Sequence, residues 1–260
     1  MYFSQVRKAL LENDPLEKTK QVDQLYADLI SLQVDLSPLE DIDTIDVPGR
    51  PAQPELVHPS KVARRKLTTE QGRIALIHAI CHIEFNAINL ALDAVYRFQN
   101  MPRNYYVDWM MVAAEESKHF LLLRDRLFQL GSNYGSYVAH NGLWEMAVKT
   151  QHSIVERMAL VPRVLEARGL DVTPGMIDRL EAVGDIETVN ILKIILQEEI
   201  GHVEVGTRWF RYACEQENID SEATFIALLE QYKVTIGNGP FHTDARTQAG
   251  FSQAELNALS

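Results

Sequence analysis

Apolar residues recur every three or four positions along most of the chain, which is the period of an amphipathic α-helix. From residue 69 onward this pattern predicts four long helices, separated by glycine or proline signals that end a helix. They cover residues 69–99, 104–130, 141–168 and 185–217. We expect Pro162 to kink the third helix, and a short helix to follow Pro174 before the fourth begins. The strict alternation of a β-strand is not found, so the pattern predicts an all-α fold.

Three segments of different character divide the chain. Residues 1–67 combine helical spacing, broken at Asn13-Asp14-Pro15, with a proline-rich stretch that we expect to form an extended arm. Residues 68–236 hold the four long helices and a further helix near residues 221–236, which together predict a four-helix bundle. Residues 237–260 are predicted to be a glycine-rich tail. The arm and the tail exceed what a bare bundle needs, so they are candidates for covering a cavity.

Charge and composition narrow the range of partners. A formal net charge of −11 opposes non-specific binding to nucleic acid, because the phosphate backbone repels an acidic surface. No stretch approaches ~20 uninterrupted apolar residues, so we expect no membrane span, and the N-terminus lacks the layout of a secretory signal. The two cysteines, Cys81 and Cys214, lie far apart in the sequence and outside any Cys-x-x-Cys motif, which argues against a disulfide scaffold. A reducing compartment is therefore favoured. We therefore expect a cytoplasmic protein that acts on a small molecule, and a homodimer is plausible.

The most informative signal is a sequence word that occurs twice. The predicted second helix contains Glu115-Glu116-Ser117-Lys118-His119, and the fourth contains Glu198-Glu199-Ile200-Gly201-His202. The Glu-x-x-His spacing places a carboxylate and an imidazole one turn apart on one helix face, where both can reach a metal ion. A single Glu-x-x-His is weak, since residues 55–58 contain one between two prolines. Two copies of the longer word in mid-helix are hard to attribute to chance.

The surroundings of these glutamates also predict metal ligands. Glu116 and Glu199 each lie in the middle of an apolar stripe, and Glu84 repeats the arrangement on the first long helix. A buried carboxylate without a compensating cation is strongly destabilising. No lysine or arginine shares the stripe of Glu116 or of Glu199, so a metal ion is the simplest compensation.

On the third helix the best candidate ligand is Glu156, and two interpretations of it stay open. Its face also holds Lys149, His152 and Arg163, so an ion pair with Arg163 competes with metal ligation. His152 lies one turn before Glu156 on the same face. It is a candidate for a hydrogen-bond partner of a ligand, a proton donor or an additional ligand.

Three more residues are assigned to the surroundings of the site. Glu115 and Glu198 point about 100° away from the neighbouring ligands, so we expect them to bond to adjacent helices or to hydrogen-bond a ligand. His82 points about 160° away from Glu84 on the same helix. A structural hydrogen bond is therefore its simpler interpretation, and a role beside the metal is the alternative.

The donor set indicates which metal the site would bind. Four carboxylates balance the charge of two divalent ions, and two histidines add neutral nitrogen ligands. Mixed carboxylate and imidazole donors suit iron or manganese better than thiolate-preferring metals. We therefore predict two metal ions, iron first and manganese as the alternative. The six predicted ligands are Glu84, Glu116, His119, Glu156, Glu199 and His202.

This order of motifs resembles the ferritin-like di-metal carboxylate superfamily, which includes bacterioferritin, rubrerythrin, manganese catalase and the di-iron hydroxylases. Several runs also resemble an uncharacterised bacterial ferritin-like family that is known only as a domain of unknown function. They are residues 78–89, 156–159, 240–241 and 249–251. The resemblance spans roughly residues 50–252, and it implies the fold more directly than the reaction.

Three classes of function fit the predicted site. The first is a non-haem di-iron oxidoreductase of the oxygenase or hydroxylase type, which activates dioxygen or peroxide and needs an electron donor. The second is a ferroxidase that handles or stores iron, and it is disfavoured because cage ferritins have little chain outside the bundle. The third is a metal-free helical interaction protein, which the complete ligand set disfavours. Manganese catalase or peroxidase activity is a further variant of the first class.

Overall fold

The structure is a computed structural model that describes residues 1–31, 34–37, 41–63, 65–233, 239 and 241–259. These residues form α-helices and connecting segments, with one isolated β-bridge between Leu56 and Ala139 in place of a sheet. The predicted all-α class is therefore confirmed. The chain divides into two compact units, residues 1–148 and 149–260.

The first unit is built around a pair of long helices. Its α-helices are α1 (Tyr2–Leu10), α2 (Pro15–Ser31), α3 (Glu70–Arg97), α4 (Arg103–Gln129) and α5 (Gly142–Lys149), whose last residue lies one position beyond the unit, and Pro59–Lys61 form a 3-10 helix. Thr69 caps α3 by accepting a hydrogen bond from the Gly72 amide, and Gly131, with φ of 70°, follows the end of α4. α3 and α4 pack along each other, α1 packs on α3, and α2 packs on α4.

α3 is more apolar than α4, the other long helix of the first unit. Its length and composition would allow it to cross a membrane, but 78% of its most apolar window is buried inside the protein, as in a core helix. This burial gives Glu84, in the middle of α3, an apolar environment.

The second unit is built around one long helix. Its helices are α6 (Ile154–Leu160), a π-helix (Val161–Glu166), α7 (Ala167–Glu181), α8 (Ile186–Gln216), α9 (Ser221–Gln231), α10 (Thr243–Gln248) and α11 (Gln253–Ala258). α8 contacts α6, the π-helix and α7. The C-terminal helices are fixed by Arg163, whose guanidinium lies 4.2–4.8 Å from the ring centres of Phe210, Phe225 and Phe251 and 2.7 Å from Glu255.

The predicted third helix is wrong in its extent. Residues 150–153 interrupt the helix, which continues through Gly169 and Pro174 until Glu181 instead of ending before Gly169. Ser153 starts the new helix by accepting a hydrogen bond from the Glu156 amide. Pro162 lies in the π-helix, because its missing N–H leaves an α-helical hydrogen bond unmade.

The C-terminal predictions are also refined. The helix predicted near residues 221–236 ends at Gln231, and residues 234–238 lie outside the described part of the chain. The segment predicted as a tail contains α10 and α11. Most of the glycine-proline run proposed to cover a cavity, residues 237, 238 and 240, is likewise outside the described residues.

Candidate metal centre

The first unit brings three of the predicted ligands together. Glu84 of α3 and Glu116 and His119 of α4 are 3%, 1% and 0% exposed, and each offers a ligand atom within 4.8 Å of the others. His119 Nδ1 lies 3.2 Å from Glu84 Oε2 and 3.5 Å from Glu116 Oε2. Glu116 and His119, one turn apart on α4, therefore lie side by side, as the Glu-x-x-His spacing predicts. Glu84 of α3 adds a second carboxylate.

The electrostatics of this cluster favour a bound cation. Burial by itself would lower the pKa of His119, but hydrogen bonds and charge interactions with Glu116 and Glu84 outweigh it and raise the pKa to about 11. In the metal-free protein a proton on His119 therefore supplies positive charge between the two carboxylates. A metal ion can take over that role, because carboxylate oxygen and imidazole nitrogen are both metal ligands.

The second unit carries the other Glu-x-x-His pair on α8. Glu199 is 9% exposed and His202 is fully buried, and His202 Nδ1 lies 3.7 Å from Glu199 Oε1. This spacing is close to that of Glu116 and His119 on α4. The two copies of the sequence word thus adopt the same local arrangement, one in each compact unit.

The sequence predicted the surroundings of Glu156 only in part, since a contact with His152 was one of the alternatives left open. It lies in the first turn of α6 instead of mid-helix, and its side chain is 17% exposed. Its Oε2 atom accepts a hydrogen bond from the Tyr232 hydroxyl and lies 3.1 Å from Nε2 of the exposed His152. The competing interpretation, an ion pair with Arg163, is wrong, since the buried Arg163 pairs with Glu255.

The remaining predicted residues occupy different places. His82 is bonded to the segment after α4, with Nδ1 2.9 Å from the Tyr134 hydroxyl and Nε2 3.2 Å from the His140 carbonyl. Burial lowers its pKa to about 4, so His82 is neutral. Glu115 on α4 and Glu198 on α8 are partly exposed, next to the more buried Glu116 and Glu199.

Tyr232 is the residue of this region that the sequence interpretation missed. It follows α9 directly, more than seventy positions from Glu156, so no periodic pattern connects the two. Burial, together with the hydrogen bond to Glu156, raises the pKa of its phenol to about 12. The phenol is therefore a hydrogen-bond donor at neutral pH.

Together these features define an all-helical protein with a buried cluster of glutamate and histidine that can hold a metal ion. The chain belongs to the DUF455 family, described as a protein of unknown function, whose family model matches residues 11–257. It is 46% identical over 267 residues to an uncharacterized protein of Haemophilus influenzae, covering 98% of this chain and 92% of that relative. No solved structure matches it.

Proposed function

We propose that the protein binds two metal ions, iron in the first place, and uses them as a ferritin-like oxidoreductase that activates dioxygen or peroxide. The observation that most directly supports this proposal is the buried cluster of Glu84, Glu116 and His119. Even with a proton on His119, two buried carboxylates at 3.2–3.5 Å from one imidazole carry more negative than positive formal charge, which a metal ion would compensate. Function at the cluster accounts for this buried charge better than stability does.

The second half of the proposed ligand set rests on the repeated sequence word. Glu199 and His202 have the same spacing on α8 as Glu116 and His119 have on α4. Glu156 would supply the fourth carboxylate, so that the formal charge of two divalent ions is balanced. Mixed oxygen and nitrogen donors make iron or manganese the expected metals.

The side chains would have distinct tasks when the site is loaded. A bound iron pair would supply two electrons to dioxygen or to a peroxide substrate. Glu84 and Glu116 would neutralise the metal charge, and their burial in α3 and α4 keeps bulk water away from them. His119 would give up the proton that it carries in the metal-free protein and offer nitrogen instead, so that metal binding would be accompanied by proton release.

Metal content is the measurement that tests this proposal. The protein is purified without added metal, loaded anaerobically with ferrous iron, desalted and subjected to elemental analysis. We expect about two iron ions per chain, and ultraviolet absorption of a ferric carboxylate centre after exposure to air. Glu116→Gln keeps the volume of the side chain but removes its charge, and it should lose most of the iron and of the absorption band.

The matched control is Glu145→Gln, which changes an exposed glutamate on α5. It should bind iron as the unchanged protein does. If the unchanged protein retains no transition metal, or if Glu116→Gln and Glu145→Gln retain equal amounts, the proposed metal site is wrong. Activity assays with candidate substrates are informative only after the two-metal stoichiometry has been established.

A further inference from the structure

Two copies of the helix-start signal Ser-x-x-Glu occur in the second unit, and they behave differently. At the start of α11, Ser252 and Glu255 form a complete capping box, in which the Glu255 side chain accepts a hydrogen bond from the Ser252 amide. At the start of α6, Ser153 accepts from the Glu156 amide, but the Ser153 amide is bonded to the Thr150 carbonyl. The carboxylate of Glu156 is therefore not used to cap its own helix.

The carboxylate of Glu156 is held by residues outside α6. The Tyr232 hydroxyl donates to Oε2, and Nε2 of His152 lies 3.1 Å from the same oxygen. Among the described residues, no hydrogen bond or ion pair reaches the other oxygen, Oε1. Two partners thus contact the same oxygen, Oε2, and leave the second oxygen to bind another group.

We propose that Tyr232 and His152 are positioning residues, which hold Oε2 of Glu156 so that Oε1 is presented to a metal ion. This inference rests on the proposed metal-binding function. Ligating carboxylates are commonly hydrogen-bonded through a second oxygen, and loss of such a partner weakens metal affinity by roughly 10–100-fold. Tyr232 makes the C-terminal end of α9 part of the support of the site, although it does not touch the metal.

The contacts suit this role better than a purely structural one. The His152 side chain is 61% exposed, so its contact with Glu156 adds little to the stability of the fold. The Tyr232 hydroxyl comes from a residue that follows α9, and it donates directly to Oε2 of Glu156.

A double-mutant cycle with full-length protein and Co²⁺ as an air-stable probe tests the inference. Tyr232→Phe should weaken Co²⁺ affinity at least tenfold and change the visible absorption of the bound ion. In a Glu156→Ala background the same substitution should have no further effect on affinity. Tyr212→Phe on α8 is the matched control, since Tyr212 packs on Trp209, and it should leave affinity unchanged.

His152 provides a second variant that is safe for folding because it is exposed. His152→Leu should weaken affinity, and His152→Gln, which keeps a donor at the end of the side chain, should restore most of it. The inference is overturned if Tyr232→Phe binds Co²⁺ as the unchanged protein does, or if its effect persists without Glu156. An unchanged protein that binds neither Co²⁺ nor Fe²⁺ would overturn the proposed function and this inference together.

Discussion

Lys18 is a charged residue that the first unit encloses completely. Its ammonium donates to the backbone carbonyls of Leu10 and Gly49, each at 2.9 Å, and to the side-chain oxygen of Asn89. These acceptors belong to the end of α1, the proline-rich segment and α3, so that one side chain of α2 joins three parts of the chain. Burial lowers the pKa of Lys18 to about 7, while the charge of Glu12 acts in the opposite direction.

This pKa predicts how the stability of the protein depends on pH. In the unfolded chain Lys18 titrates near ~10.4, so between pH 7 and 10 the unfolded state binds more protons at this residue than the folded state does. The free energy of unfolding should therefore rise with pH in this range, by up to ~1.4 kcal/mol per pH unit from this group. Urea unfolding of the metal-free protein at several pH values measures the slope.

The variant Lys18→Met isolates the contribution of this lysine from those of other groups that titrate in the same range. It keeps a long side chain but removes the Lys18 donor from the Gly49 carbonyl and from the Leu10 carbonyl, which keeps only the Gly49 amide as a donor, so it should be less stable by about 2–4 kcal/mol. Its stability should rise less steeply above pH 7 than that of the unchanged protein. Equal slopes for the two proteins would show that Lys18 keeps an ordinary pKa in the fold.

Individual residues differed in how far the sequence could predict them. The Glu-x-x-His words could be interpreted because one turn of helix fixes the distance between the two side chains, and Glu116 with His119 meets that expectation. Lys18 gave no signal, since a lysine on an amphipathic helix is ordinarily exposed. Its acceptors come from segments that only tertiary folding brings together, as does the Tyr232 hydroxyl beside Glu156.

At the scale of elements, the contact between the π-helix and α8 depends on a glycine. A Cβ atom at Gly206 would lie 2.4 Å from the Cβ and Cγ atoms of Pro162, well inside the normal contact distance between carbon atoms. Gly206→Ala should therefore force the two elements apart and lower the free energy of unfolding by about 1–3 kcal/mol. Urea unfolding of the metal-free protein measures this change.

Gly201 provides the matched control on the same helix. Apart from its chain neighbours and the nearby backbone of α8 itself, no described atom lies within 4 Å of the position that a Cβ atom would occupy there, and the residue is exposed. Gly201→Ala should raise the free energy of unfolding by about 0.5–1 kcal/mol, because alanine has the higher helix propensity. If both substitutions were stabilising, the close approach of Pro162 to α8 would not exist in solution.

The ends of the helices in the second unit differ from those that the sequence pattern predicts. Ser153 and Glu156 have the spacing that is typical of a helix start, and they mark the end of the break at residues 150–153. The apolar periodicity on both sides of the break nevertheless predicted one continuous helix. Gly169 predicted a helix end and Pro174 predicted the start of a separate short helix, but α7 runs through both positions, since it buries Leu170, Ile177 and Leu180 on one face. This burial outweighs the cost of an internal proline.

At the scale of the whole molecule, the six predicted metal ligands are divided evenly between the two compact units. Residues 1–148 carry Glu84 and the pair on α4, while residues 149–260 carry Glu156 and the pair on α8. The sequence predicted this repetition because each half uses the same helical spacing. It could not predict the boundary at residue 148, because the boundary depends on contacts among all helices and no glycine or proline signal marks it.

The amount of iron that one chain accepts distinguishes the two iron-dependent functions. An oxidoreductase needs only the ions held by its ligand set, so iron titration in air should saturate at about two ions per chain. Gel filtration should show a particle of about one or two chains of 29.6 kDa each. A storage protein would instead keep accepting iron beyond its ligand sets and elute as a very large cage. Glu116→Gln separates the cases further, because it should abolish the saturable uptake and leave the particle size unchanged. Continued uptake by a large particle would favour iron handling over oxidation of a small substrate.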